Sequence, residues 1–237
     1  ACNPVRPRMA RLFPLLILIC AGAAWGATQP LAKIAVSGGY RPLGIVFWQL
    51  SIGAAVLGAV CLLRGRRLRF TAPDLRLYVI IALIGTVIPG IASYSAAVHL
   101  LSGVLSILLS SIPMLAFPIA LAMGHEAFRW RRLAGLSLGF CGIGLLIVPD
   151  ASLPANISAL WVFVALIASL CYACEGNVVA KLGTNGLDAV QVLCGASLVG
   201  AGISLPLALV TGQFIDPRAT WGAPDQAIIA SSLLHAG

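Results

Sequence analysis

Residues 77–125 run for 49 positions without an Asp, Glu, Lys or Arg. A bilayer needs about 20 apolar residues per crossing helix, so this run is about two crossings long and must fold back on itself. The reversal falls at residues 99–103, His-Leu-Leu-Ser-Gly, where Gly103 is the sole glycine between Gly90 and Gly124. Arg76 bounds one end of the pair, and Glu126, Arg129, Arg131 and Arg132 bound the other. Both ends of the helical hairpin therefore carry charge on one side, the pattern of an all-α polytopic membrane protein.

The same alternation of long apolar runs and short polar breaks extends along the chain. It predicts helices at about 12–34, 43–63, 73–98, 103–123, 133–148, 158–182 and 187–210, and an eighth starting near Gln226. Gly38, Gly39 and Pro42 make the first break, the basic segment Arg64, Arg66, Arg67, Arg69 the second, and Thr71, Pro73 and Asp74 a helix start. The eighth apolar segment stops at Gly237 after about half a crossing, which reads as a chain truncated within helix 8. Met9, ahead of Arg11, reads as the translation start. Arg6, Arg8 and Arg11 before an apolar run also imitate a signal peptide, but the run continues through Trp25 to Lys33, a spanning length.

Composition agrees: 60% of residues are hydrophobic and 9% are charged, where soluble domains have about 25%. The net charge of +8 then concerns orientation rather than nucleic acid, because the basic residues lie between apolar runs. With a cytoplasmic N-terminus, twelve Lys and Arg fall in inside segments and three (Lys33, Arg41, Arg218) outside. Cys171 and Cys174 spell CxxC, but with no second pair and no His cluster the thiols read as small hydrophobes. No metal or other cofactor is expected.

At an offset of 148 residues, helix 1 lies over helix 6: Leu18 on Leu166, Ile19 on Ile167, Gln29 on Asn177, Ala32 on Ala180, Lys33 on Lys181 and Gly38 on Gly186. Five helices per unit is an odd number, so a second unit must insert with opposite polarity, giving inverted five-helix repeats. The expected units are residues 12–149 and, incomplete, residues 158–237.

Trp25-Gly26 followed by Lys33, the run Ser110-Ser111-Ile112-Pro113, Gly124-His125-Glu126, and the glycines from Gly135 to Gly144 together resemble the EamA domain of the drug/metabolite transporter superfamily. The resemblance implies a ten-helix bundle of a bacterial inner membrane that exports amino acids or other small metabolites. Its expected partners are a small-molecule substrate and the lipid bilayer, with a homodimer left open. Members often carry Arg in helix 2, where this chain has Gln49.

Glu175 is the acidic residue deep inside a predicted crossing, roughly 7 Å from the midplane at about 1.5 Å rise per residue. A charge there costs about 2.5–3.5 kcal/mol and faces a cavity or a partner. It reads either as a proton or cation site or as a group that snorkels, or that is satisfied by Asn177 or Tyr172. Trp25, Gln49, Tyr94 and Asn177 are polar or amphipathic groups in helices that the resemblance places around a cavity, where interhelical hydrogen bonding is the alternative. Glu126 is expected to pair with Arg129 or cap a helix, Lys33 and Lys181 to snorkel, and Gly22-x-x-x-Gly26 and Gly135-x-x-x-Gly139 to pack helices closely. Pro30, Pro89, Pro113, Pro118 and Pro206 interrupt helical bonding within the crossings. Asp150, Asp188, Asp216 and Asp225 read as scattered over loops. No nucleophile–base pair or phosphate loop is present, so an enzyme is not expected. The competing class is a non-transporting membrane sensor or assembly subunit.

Overall fold

The computed structural model describes residues 8–147, 158–214 and 222–236. Its helices are α1 (Arg8–Ser37), α2 (Pro42–Leu63), α3 (Ala72–Ile80), α4 (Ile88–His99), α5 (Ser102–Leu109), α6 (Ile112–Ala122), α7 (Trp130–Ile147), α8 (Ala159–Leu182), α9 (Ala189–Val210) and α10 (Ala223–Ala236). The described residues hold no strand. Six stretches among them are long and apolar enough to cross a membrane: Leu15–Ser37, Pro42–Leu63, Ala72–His99, Ser102–Ala122, Ala159–Leu182 and Ala189–Val210. Asp150 and Asp216 lie outside the described residues.

Two expected continuous helices are interrupted, each at a proline. The third crossing passes from α3 to α4 through a widened π-type stretch, Ile81–Val87, just ahead of Pro89. Pro89 has no N–H for the carbonyl four residues back, that of Gly85, and its ring crowds that carbonyl, so the turn opens. The fourth crossing breaks at Ser110-Ser111, between α5 and α6, because Pro113 does the same to Leu109. The two serines bond back across the break: exposed Ser110 donates through Oγ to the Ile107 carbonyl and buried Ser111 through Oγ to that of Leu108, each at 2.6 Å. Ser169 of α8 donates to the same Leu108 carbonyl at 3.0 Å, so a neighbouring helix holds the break in place.

The helices exchange partners. α1 packs on α10, α8 packs on α4, α2 packs along α9 and against α10, and α3 packs against α9. One apolar cluster joins α4, α5 and α8 through Ala96, Leu100, Leu105, Leu108, Ala165 and Ala168. A second joins α1, α2 and α10 through Ala32, Ala35, Val46, Leu50 and Ile228. Lipid tails are as apolar as leucine, so such contacts hold by close packing rather than by escape from water. Close approach is therefore decisive where it occurs. A Cβ on Gly195 of α9 would lie 2.5 Å from the Tyr78 ring of α3, and one on Gly200 would lie 2.8 Å from Leu50 of α2.

Several expectations need correction. Nothing described lies within 4 Å of a Cβ built on Gly22 or Gly26, so that spacing is not a close-packing seam among the described residues; of the second pair Gly135 is open, whereas a Cβ on Gly139 would overlap the Met114 side chain of α6. Small residues permit close approach, but only a facing helix makes it happen. Lys33 does not snorkel. Its Nζ donates to the carbonyls of Ala97 (2.6 Å), Leu100 (3.0 Å) and Val98 (3.3 Å), capping the end of α4, whose last carbonyls have no helical donor. Asp188 lies in the loop before α9 as expected, at its cap position, whereas Asp225 is not a loop residue. Asp188 caps α9 in a reciprocal box with Gln191, and Asp225 sits fully buried in the first turn of α10, which starts at Ala223 rather than near Gln226. Glu126 pairs with Arg132 at 2.6 Å rather than with Arg129, and that hydrogen bond holds its carboxyl below the usual glutamate range.

Candidate functional site

The bundle's interior polar groups converge where α2, α4, α8, α9 and α10 meet. α2 is apolar on every side, with Gln49 as its one strongly polar side chain. Across from it stands Tyr94 of α4, 7% exposed, whose hydroxyl donates to Gln49 Oε1 at 2.5 Å. That bond fixes the Gln49 amide and turns its Nε2 group to a position where it is buried without a partner. Buried donors are nearly always satisfied, so an orphan of this kind marks a place where an acceptor is missing.

Gln49 lines a cavity of about 100 Å³, with Val46, Leu50 and Gly53 of α2 on one side and Thr86, Gly90, Tyr172, Ser197 and Ser232 around the rest. Thr86 and Ser232 each donate back along their own helix at 2.6 Å, to the carbonyls of Ala82 and Ile228, which leaves their oxygens able to accept. Ligand pockets run to about 300–1,000 Å³. In this conformation the space holds a few waters or one small group.

Tyr172 closes the cavity from α8. Its ring meets Trp25 of α1 edge-on at 6.4 Å between centroids, and it lies within electrostatic reach of both Tyr94 and Glu175. Glu175 lies one turn further along α8. It is half-buried, and its carboxylate rests on Gly85 in the widened turn: a Cβ there would lie 2.5 Å from the carboxyl carbon. Among the described residues Glu175 forms no hydrogen bond and no ion pair, so neither Asn177 nor Tyr172 satisfies it. Asn177 faces elsewhere, its Nδ2 donating to the carbonyls of Ala173 (2.8 Å) and Ala116 (3.1 Å), and thus ties α8 to α6.

Of the five residues singled out from sequence, the structure thus gathers Gln49, Tyr94 and Trp25 about Tyr172, sets Glu175 on the adjoining turn, and directs Asn177 into a helix–helix lock. Sequence reasoning passed over Thr86, Ser197 and Ser232, whose signal was a hydroxyl in an otherwise apolar crossing. It treated Tyr172 only as a neighbour of Glu175. Gly85 carried a readable signal, a glycine four residues ahead of a proline.

The model of the EamA-like transporter family matches residues 12–148. The chain belongs to that family. It is accordingly a multi-pass membrane protein of the drug/metabolite transporter superfamily, whose members are transporters rather than enzymes. No curated protein matches the chain. The match covers most of α1 and all of α2–α7, so Gln49, Thr86, Gly90 and Tyr94 lie within the matched region, whereas Tyr172, Glu175, Ser197 and Ser232 lie beyond it.

Proposed function

We propose that this protein is a secondary transporter that exports a small metabolite or amino acid across the bacterial inner membrane by alternating access, with proton coupling through Glu175. The observation that carries the proposal is the cavity itself. It is enclosed by helices from both ends of the chain, carries an unpaired amide donor and hydroxyl acceptors, and sits in a family of transporters. The exchange of helix partners supports a second unit, α8–α10, inverted with respect to the first: each unit's first helix packs on the other's third, and the two second helices pack together. Sites at the interface of inverted repeats are the recurring arrangement of secondary transporters. The charge bias supports a cytoplasmic N-terminus.

Glu175 fits the coupling role because it has no resident partner among the described residues and rests on a turn opened by Pro89. A protonated carboxyl is tolerated there, whereas an ionised one gains from water that enters when the helices part. The cycle binds a proton on one side and releases it on the other, exchanging it for the solute. In proteoliposomes with an imposed pH difference, Glu175→Gln is expected to abolish uphill flux while exchange at equal pH survives. A Gln variant that pumps as well as the parent removes Glu175 from the coupling step. No flux of any tested metabolite by the parent protein, against empty liposomes, removes the transport reading itself.

A further inference from the structure

The tripeptide Ala-Pro-Asp occurs at Ala72-Pro73-Asp74 and again at Ala223-Pro224-Asp225, and each copy opens a helix, α3 and α10. Both aspartates are 0% exposed. Each is held first by its own helix start: Asp74 Oδ2 accepts from the Thr71 hydroxyl at 2.6 Å, and Asp225 Oδ2 accepts from the Gly222 N–H at 2.6 Å. The second oxygen of Asp225 meets the turn after the other unit's first helix directly, and that of Asp74 holds Arg69, which reaches the corresponding turn. Asp225 Oδ1 accepts from the hydroxyl of Tyr40, in the α1–α2 turn. Asp74 Oδ1 accepts from Arg69 Nη2 at 3.4 Å, and the same nitrogen donates to the Asn185 carbonyl in the α8–α9 turn at 2.7 Å. Tyr40 precedes α2 and Asp74 follows it, so 22 residues of helix, about 33 Å, separate the two clusters. They lie at opposite ends of the bundle.

We infer that Asp74 and Asp225 are the latches of two gates, one at each end of the cavity, and that the transport cycle proceeds by releasing them in turn. The inference rests on the transport reading above. Apolar helix faces in lipid slide past one another with little preference for one register, so discrete polar bonds between the units decide which end is shut. Each latch is suited to opening, because the carboxylate keeps its Thr71 or Gly222 donor and its helix N-terminus when the other unit withdraws, and no buried charge is stranded. Further bonds reinforce each end: Gln191 Nε2 to the Arg67 carbonyl at 2.7 Å beside Asp74, and the Leu43 N–H to Gln213 Oε1 at 3.2 Å beside Tyr40. Both latches are closed here, in keeping with a cavity of only about 100 Å³.

Two substitutions break the link between units and spare the helix caps: Tyr40→Phe at one end and Arg69→Gln at the other. The reporter is Ser197→Cys in the cavity wall, in full-length protein with its native cysteines replaced, inserted in vesicles of one orientation. A membrane-impermeant maleimide is added to either face, and the ratio of labelling rates is read. Removing a hydrogen bond of about 1 kcal/mol shifts a two-state ratio about fivefold. Tyr40→Phe is expected to move the ratio about fivefold toward the face at the Tyr40 end, Arg69→Gln about fivefold toward the opposite face, and the double variant to restore the parental ratio within about twofold. Shifts in one direction for both variants, or no shift in folded protein that still carries flux, overturn the latches and leave the transport reading standing. A reporter labelled from neither face, with flux absent in the parent, overturns both. If Tyr40→Phe does not fold, Asp225→Glu reads the same end, since it keeps the charge and displaces the oxygen.

Discussion

The two ends of this bundle use one tripeptide for two different clasps. At the Asp225 end the partner is a neutral phenol, Tyr40, itself 5% exposed, and the cluster is closed over by Pro224 against Gly38. At the Asp74 end the partner is Arg69, whose side chain is 50% exposed, in a segment that also carries Arg64, Arg66 and Arg67. Beside it lies an open groove of about 190 Å³ lined by Pro73, Leu77, Gly183 and Asn185. The Ala-Pro-Asp start is a local solution: proline suits the first turn, and aspartate meets the unpaired N–H groups and the positive helix end. What the carboxylate does with its remaining oxygen is decided by the turn that lies across from it. Equivalent positions can therefore share a cap and differ in strength of closure.

The largest difference is expected on removing the two carboxylates. Asp225→Ala leaves the Tyr40 hydroxyl and the Gly222 N–H buried without this acceptor, a loss of about 3 kcal/mol. Asp74→Ala costs about 1 kcal/mol, since the half-exposed Arg69 turns to water. Thermal unfolding of the purified variants in one detergent gives the order, and a larger loss for Asp74→Ala would show that exposure does not govern the contrast.

A smaller contrast separates Lys33 of α1 from Lys181 of α8. Lys33 caps three carbonyls of α4, whereas Lys181 is exposed and makes no hydrogen bond to the described residues. Lys33→Met is expected to cost about 2 kcal/mol, and Lys181→Met to stay within about 0.5 kcal/mol. Equal effects in the same unfolding assay would mean that the cap on α4 contributes nothing.

The smallest effect lies away from both clasps, in the turn between α6 and α7. Arg132 holds the Glu126 carboxyl low, so the pair contributes above the ordinary glutamate value of about 4.3 and its contribution fades as pH falls through the lowered value. Glu126→Gln should flatten the acid side of the stability profile slightly and leave it unchanged near pH 7 apart from the lost pair. A loss of stability on acidification that is undiminished in Glu126→Gln would assign the titration to other carboxylates.

Most of the crossings were legible from the chain alone, because lipid solvates neither charge nor unpaired backbone, so each crossing needs a long apolar run and each break collects charge and glycine. Residues 77–125 reverse between His99 and Ser102, inside the expected five-residue window. The chain likewise placed a carboxylate within the apolar run that forms α8, and the residues quoted for the family resemblance lie in the segment that the family model matches. Only the tertiary structure decided where polar side chains point. Gln49 and Asn177 read alike as amides in apolar helices, yet one opens on a cavity and the other locks α8 to α6, because a 3.6-residue period fixes a face but not what stands opposite it. Lys33 and Lys181 were equivalent by alignment, and a neighbouring helix end separates them. Asp225, next to a turn-like sequence, became a buried latch because α10 brings it under Tyr40, a residue 185 positions away. Pairings at such separation leave no local trace in the sequence, since no propensity or period refers to the partner.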